Sequence, residues 1–190
     1  MTLRRAQDAA DPVETVWQGK FIAAKRQGKW EFVSRTRGVS AAVILAVDEG
    51  PFGEAQDRHV LLVEQFRVPL DRNCLELPAG LVGDEEEGEA ADVAAIRELE
   101  EETGYRADRM VDLGRFHASP GMSSEGFTLL RAEGLTKTGE GGGTEHENII
   151  VHRVRLEDVP AFVEAKRAEG VAMDVKMLLL LASFLLSPKC

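Results

Sequence analysis

Glu98, Glu101 and Glu102 have the spacing most suggestive of chemistry in this chain. An α-helix turns by about 100 degrees per residue, so positions i, i+3 and i+4 project from one narrow face, while Glu100 points elsewhere. Like charges on one face repel, and these stand in the last turns of the expected helix, where the macrodipole already disfavours anions. Ten acidic residues fall between Asp84 and Glu102, against the single cation Arg97. One guanidinium does not neutralise that crowd. A hard divalent cation that prefers oxygen ligands, magnesium or manganese, would. On the helix alone, a solvated acidic face explains the run equally well.

Those carboxylates need a helix, and the helix needs a platform. Residues 89–103 read as a helix, with Val93, Ile96 and Leu99 at three-residue steps and Gly104 placed as a left-handed cap. Before it, residues 39–47 (VSAAVILAV) and 59–67 (HVLLVEQFR) are apolar runs of strand length, as expected for central strands covered on both faces. Residues 74–79 (CLELPA) make a shorter strand ending at a Pro-Ala-Gly turn. Residues 14–25 and 29–35 flank Gln27-Gly28 and predict an N-terminal β-hairpin. Further strands are expected at 111–117, 126–132 and 148–155, and helices at 157–169 and 173–186. The order strands, helix, strands, helices describes an α/β fold with a mixed sheet and helices on its faces, not a doubly wound alternation.

A chain of 190 residues with 44% hydrophobic and 29% charged residues fits a single globular domain over residues 1–190, with about 1–36 as a strand extension. The net charge is −10, of which −9 is the segment from Asp84 to Glu102. Without a basic stripe, neither nucleic acid nor an anionic membrane surface is an expected partner. Cys74 and Cys190 suffice for neither a disulfide framework nor a zinc cluster, which suits a reducing compartment. Two N-terminal arginines have no apolar h-region behind them, so no secretory signal is legible and a cytoplasmic location is expected. The apolar run 177–186 has about half the ~20 residues that span a bilayer, and reads as a buried terminal helix.

Taken together, Gly83, Glu89, Arg97, Glu98, Leu99, Glu101, Glu102, Gly104 and Tyr105 spell G-x5-E-x7-R-E-L-x-E-E-x-G-Y. This box, residues 83–105, resembles the signature of the Nudix hydrolases, and a chance match is on the order of 10⁻⁸ per register. Tyr105 departs from the aliphatic residue usual at the last position. The resemblance implies an α/β/α sandwich in which a loop-helix-loop holds metals that help water cleave a diphosphate linked to another moiety. By match to the signature, Glu98, Glu101 and Glu102 are the metal ligands, with the backbone carbonyl of Ala79 as a further one. Arg97 would orient Glu98 or its neighbours, and Glu89 would brace the loop or an outer metal.

Other motifs narrow the substrate. Glu76-Leu77-Pro78-Ala79-Gly80 before the box, Pro120 fifteen positions past Tyr105, and the strand end Glu64-Gln65-Phe66-Arg67 are similar to the ADP-ribose pyrophosphatase branch. That resemblance implies substrate contacts from Arg67, with an ion pair to nearby carboxylates as its competing role, and from Pro120, Gly121 and Glu125. Trp30 resembles the aromatic residue that stacks on adenine, with plain core as its alternative and Phe21 as a second candidate. The glycine-rich segment 135–147 is expected to be mobile, with Glu145 as general base and Glu147 touching a metal once substrate is bound. His146 ranks below Glu145 as base. The family pattern also implies a homodimer whose exchanged N-terminal strands reach over the partner's site. The implied reaction is magnesium-dependent hydrolysis of ADP-ribose to AMP and ribose 5-phosphate, with manganese as a substitute metal. Two alternatives are a pyrophosphatase for another nucleotide sugar, such as GDP-mannose or ADP-glucose, and a catalytically silent nucleotide-binding module. Intact Arg97, Glu98, Glu101 and Glu102 argue against the silent module.

Overall fold

A computed structural model of the protein describes residues 10–36, 40–50, 57–82, 90–144 and 147–181. In chain order its first strands are β1 (Glu14–Gln18), β2 (Ile22–Gln27), β3 (Trp30–Arg35), β4 (Ser40–Asp48), β5 (His59–Arg67), β6 (Arg72–Glu76) and β7 (Ala79–Val82). Then follow helix α1 (Ala91–Thr103), strands β8 (Tyr105–Arg106), β9 (Arg109–His117), β10 (Gly126–Glu133), β11 (Thr136–Lys137) and β12 (Ile150–Arg155), helix α2 (Val159–Ala168) and β13 (Ala172–Met173).

Period-two alternation in β4 and β5 creates two apolar faces. Ala42, Ile44, Ala46 and Leu61 pack with Ala95 and Leu99 of α1. Val43, Val60 and Leu62 pack on the other side with Val159 and Val163 of α2. The central strands are therefore dry on both faces, which is why they read as unbroken apolar runs. The result is the expected α/β/α arrangement around a mixed sheet: β4 runs parallel to β10, and β10 antiparallel to β9.

One feature of the pairing positions the site. β4 and β5 bond to each other at one end, through Val47↔Val60 and Asp48↔His59. Beyond that point they part. The same edge of β4 takes up β7, from Val43↔Ala79 to Ser40↔Val82, and β5 takes up β6, from Val63↔Glu76 to Arg67↔Arg72. A wedge opens between the diverging pairs, joined at its base by Leu77 and Pro78.

Several boundaries differ from the sequence reading for physical reasons. The N-terminal hairpin is a three-stranded sheet, because the chain turns at Gly19, whose N–H donates to the Ile22 carbonyl at 2.9 Å. The expected Pro-Ala-Gly turn instead opens strand β7, since β4 offers it a free edge. β8, β11 and β13 have two residues each, too few for a periodic signal. The terminal helix starts later than expected: β13 pairs parallel with β6, and a 3₁₀ turn over Val175–Met177 follows it. Met177 and Leu181 of this segment are buried in the α2 core; residues 182–190, including Cys190, lie outside the described residues. Among the described residues, no helix is long and apolar enough to cross a membrane.

Candidate active site

Helix α1 ends at Gly104, whose φ of 73° is left-handed and whose N–H donates to the Glu100 carbonyl at 2.9 Å. A side chain there would also run into the carbonyl of Gly139. The glycine-rich loop closes over this end. Thr138 and Gly139 donate to the Gly104 carbonyl at 2.8 and 3.0 Å, Gly142 to that of Glu102 at 2.9 Å, and Gly143 to that of Glu101 at 3.0 Å. The last carbonyls of the helix thus gain N–H donors, and those dipoles offset part of the negative potential around the glutamates. Expected to be mobile, the described part of this loop is instead tied to the helix by its backbone.

The three glutamates divide between two surfaces. Glu98 and Glu102 line a cavity of about 450 Å³, whereas Glu101 lines a groove on the outer side of α1 with Val93, Ile96 and Arg97. Helix geometry explains the split. Relative to Glu98, Glu102 lies about 40 degrees to one side, and Glu101 about 60 degrees to the other, toward Arg97. Arg97 sits 3.2 Å from Glu98 Oε1 and 3.3 Å from Glu101 Oε2, bridging the two carboxylates.

Strand β7 meets this face directly. The Ala79 N–H donates to Glu102 Oε2 at 3.1 Å. Gly80 leaves room for Glu98, whose side chain any Cβ at residue 80 would strike. The Glu102 side chain is 5% exposed, and its carboxyl is pushed up to about 8. Burial is the main cause; the charges of Glu98 and Glu147 add to it, and the Ala79 amide and Arg67 oppose it.

Across the wedge, β5 and β6 supply Gln65, Arg67 and Glu76 to the same cavity. Arg67 grips the buried Glu76 with two hydrogen bonds, of 2.5 and 2.8 Å, and that carboxylate raises the guanidinium's already high affinity for its proton. The ion-pair role is thus occupied, while Arg67 still lines the cavity. The loop 119–125 turns on the Ser119 carbonyl, which accepts from Met122 and Ser123 at 3.0 and 2.8 Å. It is stitched to β3 by Val33 N–H to Met122 O at 2.9 Å and Ser124 N–H to Val33 O at 3.0 Å. These bonds bring Glu125 into an ion pair with Arg35, and both line the cavity. Glu147 lines it too, and its Oε2 accepts from the backbone and hydroxyl of Thr144 at 2.9 and 3.1 Å.

Of the residues singled out from sequence, the fold therefore gathers Ala79, Glu98, Glu102, Glu147, Arg67 and Glu125 around one space. Pro120 and Gly121 are exposed on the loop that carries Glu125 and do not line it. Trp30 and Phe21 are exposed on the N-terminal sheet, and Trp30 lies five residues along β3 from Arg35, roughly 17 Å. Gly83, Glu89, Glu145 and His146 lie outside the described residues. Sequence reasoning missed Arg35, Gln65 and Lys176 as cavity residues and assigned Glu76 no role. Lys176 left a trace, since it and Asp174 are the only charges between Val171 and Leu186.

The donor set, two carboxylates and a neighbouring carbonyl strand, is hard oxygen chemistry that fits a divalent cation. A cation would also favour the ionised form that burial denies Glu102. Among the described residues no three Asp, Glu, His or Cys side chains already converge as a cage. A cavity with Glu98 and Glu102 on the α1 wall and Arg35, Arg67 and Lys176 elsewhere in its lining, the two arginines paired with Glu125 and Glu76, suits a polyanionic ligand that carries or recruits a metal.

The family model described as NUDIX domain matches residues 36–174. The chain is 36% identical over 128 residues to a protein of Bacillus subtilis (strain 168) named ADP-ribose pyrophosphatase, covering 67% of this chain and 63% of that one, so it spans less than two thirds of that relative. It is 34% identical over 155 residues to a GDP-mannose pyrophosphatase of Cronobacter sakazakii (strain ATCC BAA-894), covering 76% and 72%. A crystal structure of an ADP compounds hydrolase superposes with a TM-score of 0.63 at 22% identity, over 92% of this chain and 91% of that one, and so shares its fold.

Proposed function

The chain belongs to the Nudix family, and from that premise we propose that it hydrolyses the diphosphate of a nucleoside diphosphate sugar, ADP-ribose first, yielding AMP and ribose 5-phosphate. The observation that carries this reading is the cavity of about 450 Å³ in which Glu98 and Glu102 face Arg35 and Arg67. Its size is in the range of small-molecule sites. Water adds to one phosphorus, the P–O–P bond breaks, and each product keeps one phosphate.

Glu98 and Glu102, with the Ala79 carbonyl, would hold the divalent cation, magnesium or in its place manganese; Glu101, the third glutamate of the box, lines the neighbouring groove on the Arg97 side. When bound, the cation polarises the phosphoryl oxygens and acidifies water. Arg97 bridges Glu98 and Glu101 and orients both carboxylates. Arg67, itself fixed by Glu76, presents its remaining surface to a phosphate. Arg35 does the same from β3, braced by Glu125. Glu145 is the proposed proton acceptor from the attacking water, and Glu147 would touch the metal once substrate is bound.

GDP-mannose is the second reading, because the Cronobacter relative matches over a larger share of both chains. Turnover of a panel of ADP-ribose, ADP-glucose and GDP-mannose with magnesium, with products separated by chromatography, decides between them. AMP and ribose 5-phosphate as the fastest-formed pair are expected; fastest release of GMP from GDP-mannose would move the assignment to the second reading. No hydrolysis of any of the three would sink both.

A further inference from the structure

The cavity holds three cations among the described residues, and they are not equivalent. Arg67 is bound to Glu76 and Arg35 to Glu125, so each is partnered by a glutamate of the same cavity. Lys176 differs. Its carboxylate partner, Asp174, is not part of the lining. Asp174 uses both oxygens on this one residue: Oδ1 accepts from the Lys176 backbone N–H at 2.7 Å and Oδ2 from its ammonium at 2.6 Å. The Asp174 N–H in turn donates to the Leu75 carbonyl at 3.0 Å, and β13 pairs with β6 just before it. The lysine is therefore fixed in register with the strand that carries Glu76. Its Nζ stands 5.8 Å from the centroid of Phe127, and the side chain is 16% exposed.

An ammonium has three donors, and Asp174 occupies one. A half-buried cation, preorganised from behind by an aspartate and set over an aromatic ring, is built to meet an anion. Glu98 and Glu102, on helix α1, line the same space. We propose that Lys176 binds the substrate's diphosphate, taking the phosphate that lies away from Glu98 and Glu102. The inference rests on the nucleoside-diphosphate reading above and adds a residue from the C-terminal segment to that site.

Its test uses Lys176→Met, Lys176→Gln and Lys176→Arg in the full-length protein with magnesium. For ADP-ribose, Lys176→Met should raise KM at least tenfold with kcat within threefold, and Lys176→Arg should restore KM to within threefold of wild type. Inorganic pyrophosphate, which has neither base nor sugar, should bind the Met variant at least tenfold more weakly by calorimetry. If Lys176→Met melts early, Lys176→Gln, which keeps a polar head for Asp174, carries the same expectation. A fall in melting temperature with KM and pyrophosphate affinity unchanged would overturn the proposal and make the lysine structural. Pyrophosphate binding separates the two readings. If the wild type turns over no nucleotide sugar but loses pyrophosphate affinity on substitution, the reaction assignment fails and Lys176 stands. Turnover of ADP-ribose by the wild type, with pyrophosphate binding untouched in both variants, leaves the reaction and removes Lys176.

Discussion

At 5% exposure the Glu102 carboxyl has Glu98 and Glu147 for neighbours, and the Ala79 amide and the Arg67 charge in partial compensation. Its folded value of about 8 lies above the ordinary value of 4.5. Between those limits the folded chain keeps a proton that the unfolded chain has already released. Stability from this group therefore falls as pH rises from about 4.5 to 8, and the full loss amounts to several kcal/mol at most. Glu102→Gln, which mimics the protonated form, should flatten that part of the stability curve in metal-free protein and melt later than wild type at pH 8. It should also abolish magnesium-dependent turnover. Parallel melting curves of the two proteins between pH 5 and 8 would show that this carboxyl is not the strained one.

Helix α1 and strand β7 work as one device, and Gly80 is where they touch. A methyl group added there meets the arm of Glu98, a flexible side chain that can swing aside. Gly80→Ala should therefore leave the melting temperature within a few degrees of wild type while lowering kcat for ADP-ribose tenfold or more, as Glu98 is displaced. Unchanged kcat would mean that the Glu98 position is not critical. The helix also sets Glu101 apart from its neighbours: its offset of about 60 degrees from Glu98 turns it to the flank, where Arg97 bridges it to Glu98.

For the whole molecule, the N-terminal sheet carries Trp17, Phe21, Ile22 and Trp30 in exposed positions. Such a concentration of large apolar side chains on one small sheet asks for a cover, and the proposed exchange of N-terminal strands between two copies would provide one. A mixing experiment tests it. Trp30→Ala alone should raise KM more than it lowers kcat, and Glu102→Gln alone should be inactive. Co-refolded as a mixed dimer with exchanged strands, one site would combine an intact Glu102 with the partner subunit's intact tryptophan, so a low-KM activity should reappear. Activity that keeps the KM of Trp30→Ala at every mixing ratio would show that each chain completes its own site.

How much was legible follows from range. Helix α1, its Gly104 cap, the dry strands β4 and β5 and the carboxylate box were readable because caps, periodicity and spacing are written in neighbouring residues. The family followed from the same short stretch. Whether three clustered glutamates share a surface, which cation faces which carboxylate, and that Arg35 and Lys176, near opposite ends of the chain, border one cavity were settled by the fold alone. The physical reason is the parting of β4 from β5: hydrogen-bonding partners change along a shared edge, a wedge opens, and its walls come from strands and loops that no local pattern connects.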